Sequence, residues 1–324
     1  MKIKINNSEI EVIEGEKLIE AAHRNNFEIP ALCYAKGYQH HPSCMVCIVK
    51  DKTSNQIIPS CSAVVAEGMD IETDSDEVKL LRKTSLELLL SDHRADCEAP
   101  CSMVCPQDFN VEKMLMFYDS GQIEEAFSII AETFTLSELE CDKCKVPCEK
   151  ACRRGTVDEA VSIREIIKEI VKKAESLSKS AKDKLLTRNR HDKEVFCSRL
   201  GRLTSVEKEF LKETVKTKSR CLHCACAGRE GCKLRKYATE AGIKRTQYEL
   251  SSVLPAMNIK TLATDNIRFE PAKCIKCGLC VYNSVDGFTF KNRGFGMEVV
   301  LPEESVKNID KSLCGLCPTG ALYC

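Results

Sequence analysis

The chain has no tryptophan, and its 7 tyrosines and 11 phenylalanines leave aromatic residues at only 6% of 324. It also lacks any long apolar run. Stretches such as LELLL at 86–90 fall far short of the ~20 residues a bilayer needs, so direct membrane insertion is not expected. The opening MKIKINNSEIEVIEGEK holds no apolar core that could act as a signal sequence, and the expected location is the reducing cytoplasm. Nor does one sign of charge dominate: Lys+Arg and Asp+Glu stand at 48 each, and no net field favours nucleic acid. Gly-rich phosphate-binding turns are missing too. The nearest approach, RGFGMEVV at 293–300, lacks a third glycine and runs into a strand pattern rather than a helix. There is no P-loop, Ser/His/Asp arrangement or nucleophile elbow. What is abundant is cysteine, with 22 residues. A chain this long can bury two or three cores, so disulfides are not required to fold it. Thiols kept reduced and grouped at short spacings point instead to metal.

The first group follows a short strand-rich segment. Ile3 and Ile5 alternate with lysines, Asn6-Asn7 supplies a turn, and Ile10 and Val12 alternate with glutamates, which predicts a hairpin. Glu16–Asn26 then reads as a helix with Leu18, Ile19 and Ala22 on one face and Pro30 beyond its end. Cys33, Cys44, Cys47 and Cys61 come next, the middle pair in PSCMVCIV. Four thiolates can wrap a small cluster and neutralise its ferric charge; a zinc clip is the competing reading. The stretch resembles a plant-type [2Fe–2S] ferredoxin domain in the widely spaced form found in the complex I large subunit and in iron-only hydrogenases. That resemblance implies a β-grasp fold over residues 1–78. Ser43 stands where the family usually has glycine.

Beyond an amphipathic helix through Val78–Leu90, residues 91–106 read SDHRADCEAPCSMVCP. The histidine before cysteines is similar to the His-plus-three-Cys site of complex I and hydrogenases, but the spacing here is H-x3-C-x3-C-x3-C-P. That rhythm resembles the N-terminal iron–sulfur domain of the glutamate synthase small subunit and of dihydropyrimidine dehydrogenase. The likeness continues through NVEKMLMFYDSGQIEEAFSII, a helical hairpin turning at Ser120-Gly121, into CDKCKVPCEKACRRGTVDEAVSI. It implies an α-helical domain over 79–175 with two [4Fe–4S] clusters and crossed ligands. Carried over by position, one cluster takes His93, Cys97, Cys101 and Cys152. The other takes Cys105, Cys144 and Cys148. Where the family has a Gln or Glu as its last ligand this chain has Ile167, so Cys141, or failing it Glu165, is the substitute. His93 as a surface residue near a helix end is the alternative, and a histidine ligand would raise that cluster's potential.

Residues 157–186 read as a helix with Val161, Ile166, Ile170, Val171, Ala174 and Leu177 roughly on one face, and 176–267 as a helical linker. Cys197 stands alone and reads as a small buried hydrophobe. Within the linker, RCLHCACAGREGC brings Cys221, Cys224, Cys226 and Cys232 together as a knuckle for zinc or an additional [4Fe–4S] cluster, with His223 as an alternate ligand. The last segment, 268–324, contains KCIKCGLCV and CGLCPTGAL. It resembles a bacterial ferredoxin in which Cys274, Cys277, Cys280 and Cys317 hold one [4Fe–4S] cluster. Ser284 and Val285 replace the Cys-Pro of a second cluster, while Cys314 and Cys324 remain as spare ligands.

The expected architecture is therefore α+β and multidomain: a β-grasp ferredoxin, an α-helical iron–sulfur domain, a linker and a ferredoxin-like C-terminal domain. One [2Fe–2S] and about three [4Fe–4S] clusters are implied. With no flavin, nicotinamide or substrate site of its own, the chain reads as an electron-transfer subunit of an NAD(P)H-linked flavin-dependent oxidoreductase, with no catalytic site. Its implied partners are a flavin/NAD(P)H-binding subunit and another redox subunit or ferredoxin. The competing class is a non-enzymatic metal-binding scaffold or redox sensor.

Overall fold

A computed structural model describes residues 1–93, 96–134, 144–174, 205–226, 231–243, 261–262, 267–285, 287–302 and 309–324. Cys141, Leu177 and Cys197 lie outside the described residues. The chain divides into two compact units. Met1–Arg94 with Arg229–Leu254 and Asn258–Cys324 forms the first, and Ala95–Gly228 with Pro255–Met257 the second.

The first unit opens with the hairpin β1 (Lys2–Ile5) and β2 (Ser8–Glu11), in which Ile3 faces Ile10 and Ile5 faces Ser8. Asn6 and Asn7 take φ of 48° and 68°, the pair of left-handed residues that a two-residue turn needs to match strand twist. Asn6 also exchanges hydrogen bonds with Thr73: its Nδ2 donates to Oγ1 at 2.7 Å, and the Thr73 amide donates back at 2.8 Å. Helix α1 (Leu18–Arg24) buries Leu18, Ile19, Ala21 and Ala22 and stops where Asn26 turns left-handed (φ 63°), its ladder closed by the Phe27 amide on the Ala22 carbonyl. Strands β3 (Ile48–Asp51), β4 (Gln56–Pro59) and β5 (Asp70–Glu72) complete a five-stranded sheet of order β2-β1-β5-β3-β4. Only β1 and β5 run parallel; the other neighbours are antiparallel. Helix α2 (Asp76–Asp92) is pinned to the sheet by Arg82, whose Nε and Nη2 both donate to the Ile48 carbonyl at 3.1 and 2.7 Å. Burial pushes that guanidinium down to about 10.

In the second unit, α3 (Pro100–Met103) precedes a helical hairpin of α4 (Val111–Asp119) and α5 (Ile123–Thr133). Asn110 caps α4 by accepting the Lys113 amide at 3.1 Å, and Gly121 at φ 77° makes the turn. After α6 (Pro147–Lys150), α7 (Ile163–Ala174) packs against α5. It starts at Ile163, not at 157, because Arg153–Thr156 is a tight 3₁₀ turn and Asp158 is held by Arg154 Nε and Nη2 at 2.7 and 2.6 Å. Phe109, Met114, Leu115, Ile130, Ile163 and Ile170 form the centre of the apolar core. Helix α8 (Ser205–Thr214) follows.

The first unit resumes with α9 (Lys233–Glu240), which packs beside α2. Strand β6 (Thr261–Leu262) pairs with β7 (Arg268–Phe269), then come α10 (Leu279–Tyr282), the two-stranded ribbon β8 (Thr289–Lys291) and β9 (Glu298–Val300), α11 (Ser312–Leu316) and β10 (Leu322–Tyr323), which closes on β7. Phe269 and Phe288 stack edge-on at 5.3 Å in its core. This region is fastened to the N-terminal one within the same unit. The Gln39 amide donates to Asn283 Oδ1 at 2.9 Å, and Asn283 Nδ2 donates to the Gln39 carbonyl at 2.7 Å. The molecule is thus mixed α+β. Among the described residues no helix is long and apolar enough to cross a membrane.

Leu18 is fully buried beneath the sheet. Its replacement by Ala is expected to lower stability by about 2–5 kcal/mol through lost transfer energy and a residual cavity. The measurement is the urea midpoint at unchanged m-value; an unshifted midpoint would show that α1 is not part of this core.

Candidate metal centres

The first centre sits on the connection between α1 and β3. Cys33, Cys44, Cys47 and Cys61 are all buried, and the Cys33 and Cys44 sulfurs are 3.3 Å apart. Hydrogen bonds between side chains also link Cys33 with Cys61 and Cys47 with Cys61. The loop turns through Met45 at φ 54°, while Ser43 is not among the left-handed residues, so no glycine is needed at 43. Backbone amides of Cys44 and Ser43 point at the Cys33 sulfur, and those of Val46 and Leu32 at Cys44. Side-chain hydrogen bonds shared with Cys44 and Cys61 hold the Cys33 thiol far below its ordinary value, while the same bonds to Cys33 drive Cys44 and Cys61 up. Cys47 moves down to about 7, mainly through its bond to Cys61. Four touching sulfurs cannot all ionise unaided. A polycationic core placed among them allows it, and this donor set therefore fits an iron–sulfur group.

The second unit places two like segments together. Pro100-Cys101 opens α3 and Pro147-Cys148 opens α6, each followed by a cysteine four residues on, Cys105 and Cys152, and the two helices pack against each other. Arg164 donates to the Cys144 carbonyl, and its amide donates to Glu149 at 2.9 Å, tying α7 to this run. Ile167 is buried in the core, whereas Glu165 lies exposed and pairs with Lys168 at 3.2 Å, so Glu165 does not face the cysteines as a substitute ligand. His93, buried at the end of α2, belongs to the first unit; Cys97, Cys101 and Cys152 belong to the second.

Local spacing did not bring together the 217–226 segment and this same cysteine group. Asp96 bridges to Ala225 in a parallel pairing, and the Cys226 amide donates to the Asp96 carbonyl at 2.8 Å. His223 presents both ring nitrogens to carboxylates, Nδ1 to Glu112 and Nε2 to Asp119, each at 3.1 Å. Burial works against its charge, but the bonds to Asp119, Cys221 and Glu112 prevail and push it up to about 12. Cys232 lies elsewhere. It belongs to the first unit, where its sulfur accepts the Arg235 amide at 3.4 Å at the start of α9 and the neighbouring Lys233 amide donates to the Pro318 carbonyl at 2.8 Å. Among the described residues no group of three or more His, Cys, Asp or Glu is arranged to hold a single metal ion.

The third centre gathers Cys274, Cys277, Cys280 and Cys317. Burial raises the thiols of Cys274, Cys277 and Cys280, Cys280 to about 12, and Cys317 adds its charge to each. The Lys276 amide donates to Cys274 at 3.3 Å and the Leu322 amide to Cys317 at 3.4 Å. Cys314 and Cys324 are bonded to each other as a disulfide, which removes both from the pool of spare ligands. A separate cavity of about 900 Å³ in the first unit is lined by residues such as Phe27, Lys79, Arg82, Leu86, Lys236 and Tyr237 and by none of the candidate cysteines.

Comparison with known proteins bears on residues 1–179. Residues 1–76 match the 2Fe-2S iron-sulfur cluster binding domain, and residues 74–179 match dihydropyrimidine dehydrogenase domain II, 4Fe-4S cluster. The chain carries a 2Fe-2S domain followed by a 4Fe-4S domain. Among similar proteins, a subunit of the NADH-quinone oxidoreductase of Rhizobium meliloti is 27% identical over 180 residues, covering 50% of this chain and 20% of its own length. The NADP-reducing hydrogenase subunit HndD of Solidesulfovibrio fructosivorans is 30% identical over 166 residues, covering 47% and 27%. The chain thus matches about a quarter or less of the length of these relatives. Among solved structures, an NAD+-reducing [NiFe]-hydrogenase in the H2-reduced state shares the fold at a TM-score of 0.51 and 14% identity, over 99% of this chain and 86% of that one.

Gly278 takes φ 79° in the third centre's loop, and a Cβ there would lie 2.5 Å from Tyr282 Cε2. Gly278→Ala is expected to cost roughly 1–3 kcal/mol from backbone strain plus the clash. Combining it with Tyr282→Ala should recover the clash part, read as the difference in thermal midpoint between single and double variants. No recovery would assign the whole effect to φ.

Proposed function

We propose that this chain is a multi-cluster electron-transfer subunit of an NAD(P)H-linked, flavin-dependent oxidoreductase complex, passing single electrons between a flavin subunit and another redox subunit or ferredoxin. The observation that carries the reading is the buried group Cys33, Cys44, Cys47 and Cys61, whose sulfurs meet one another and backbone amides within the matched 2Fe-2S domain, followed in the chain by a matched 4Fe-4S domain. One-electron redox chemistry is what the iron–sulfur groups supply when bound. The printed names of the relatives, subunits of NADH-quinone oxidoreductase and of an NADP-reducing hydrogenase, support the class of complex.

The protein's own part is to hold and tune. Cys33, Cys44, Cys47 and Cys61 would bind the two-iron group, on a mixed five-stranded sheet whose order and covering helix support the β-grasp reading. Cys274, Cys277, Cys280 and Cys317 would bind a four-iron group in a ferredoxin-like domain. Amide donors to Cys33, Cys274 and Cys317 stabilise thiolate charge and so raise reduction potential relative to a bare site. Cys105, Cys144 and Cys148 would hold another four-iron group, with Cys141 as its outstanding ligand. Cys33 and Cys277 lie within reach of each other's charge, so the first and third centres are neighbours inside one unit and suited to direct exchange. We place this activity in the cytoplasm, where clustered thiols are kept reduced for metal.

The test is iron, acid-labile sulfide and zinc per chain after anaerobic purification. One two-iron and three four-iron groups correspond to about 14 iron with matching sulfide. Zinc with little sulfide, persisting after reconstitution, would overturn the electron-transfer reading in favour of a metal-bound scaffold. Cys47→Ser should remove the two-iron optical and EPR signal while about 12 iron remain in the four-iron groups.

A further inference from the structure

Three observations converge on the segment 217–226 in the second unit. First, its placement is specified by many bonds. The Ser219 amide and hydroxyl both donate to Asp119, each at 2.6 Å, the Cys221 amide donates to the Ser219 hydroxyl at 3.1 Å, and Thr217 donates to the Cys221 carbonyl at 3.2 Å. With His223 clamped between Glu112 and Asp119 of α4 and residues 225–226 laid along Asp96, the loop is fastened to residues on either side in sequence of α3, which carries Cys101. Secondly, the fastening buries Cys221 and leaves Cys224 half-buried. Cys221 enters the same apolar core as Cys101, with Cys152 and Cys224 packed against it. The charges of Cys221, Cys224 and Cys152 all act on Cys101, and those of Cys221 and Cys152 on Cys224. Thirdly, Arg153 is buried beside Cys224 and contacts Asp96 through Nη2, while its Nε has no hydrogen-bond partner among the described residues. A buried cation with an unmet donor next to a group of thiols is what an anionic, sulfide-bearing ligand would satisfy.

We infer that Cys101, Cys152, Cys221 and Cys224 together hold one [4Fe–4S] cluster, so that the C-x2-C of the 221–226 segment completes a centre begun about a hundred residues earlier in the chain. This rests on the iron–sulfur reading above and changes its ligand assignment: His93 and Cys97 are released from that cluster, and residues 221–224 are no longer a separate zinc knuckle. The two pairs come from different parts of the unit. Cys101 and Cys152 lie on or just beyond the short Pro-Cys helices, and Cys221 and Cys224 on the loop clamped by His223. Arg153, buried beside Cys224, offsets the negative charge that four thiolates and a cubane carry.

The experiment measures iron and acid-labile sulfide per chain, with EPR of the dithionite-reduced protein, in the full-length chain. C221S/C224S is expected to lose about four iron and one EPR component, as is C101S, whereas C97S keeps the wild-type count. The deciding variant is the triple C101S/C221S/C224S. Ligands of one cluster are not additive, so the triple should lose no more iron than C101S alone. A further loss of about four iron in the triple, a full iron count in C221S/C224S, or loss of zinc instead of iron would overturn the assignment. The two-iron optical signal from the first unit reports that each variant is folded. Absence of sulfide from the wild-type chain would instead sink the iron–sulfur reading itself, and so the two failures are distinguishable.

Discussion

Everything in this molecule depends on the crowding of buried thiols. A cysteine in apolar surroundings favours its neutral form, and a second thiolate nearby reinforces that preference, as at Cys101, where burial and three neighbouring cysteines act in the same direction. Such a group is unfavourable as bare thiolates and inert as thiols. It becomes stable when a compact, highly positive core lies among the sulfurs and backbone amides meet those sulfurs from behind. The folded chain supplies the second half of that arrangement at Cys33, Cys44, Cys274 and Cys317.

The same constraint explains the irregular backbone between the cysteines. To turn three sulfurs of a short run toward one point, the chain has to enter left-handed conformations. It does so at Met45 in the first centre, at Val146 before α6, at His223 in the 221–224 loop and at Lys276 and Gly278 in the third centre. Strain at non-glycine residues is sustained where surrounding bonds over-determine the loop, and His223, held through both ring nitrogens, is the clearest case. Pro100 and Pro147 serve a related purpose, fixing the start of a short helix so that the following cysteine leaves it in a set direction.

Much of this was legible in the residues. The Asn6-Asn7 hairpin, the α1 face, the Ser120-Gly121 turn and the short-range cysteine runs are all local patterns, in which spacing alone constrains geometry. The start of α7 was not legible, because apolar periodicity extends back to Val161 while the bonds of Arg154 to Asp158 hold the preceding residues in another conformation. Glu165 illustrates the same limit: adjacent to Ile166 and Ile167 in sequence, it faces solvent because the helix turns it away from their core.

The sequence by itself determined that this is an iron–sulfur chain of mixed α+β character. Cysteine abundance, spacing and the lack of flavin or nucleotide motifs are properties of composition and local order, and no folding is needed to read them. Only the tertiary structure decided which cysteines share a site. Cys221 and Cys224 read locally as half of a self-contained knuckle with Cys226 and Cys232, yet the fold sets them with Cys101 and Cys152 and assigns Cys232 to the other unit. The reason is physical. A four-thiol site is defined by distance in space, and the partners of the 217–226 loop, Asp96, Glu112, Asp119 and Arg153, are brought to it by helix packing that no local spacing encodes.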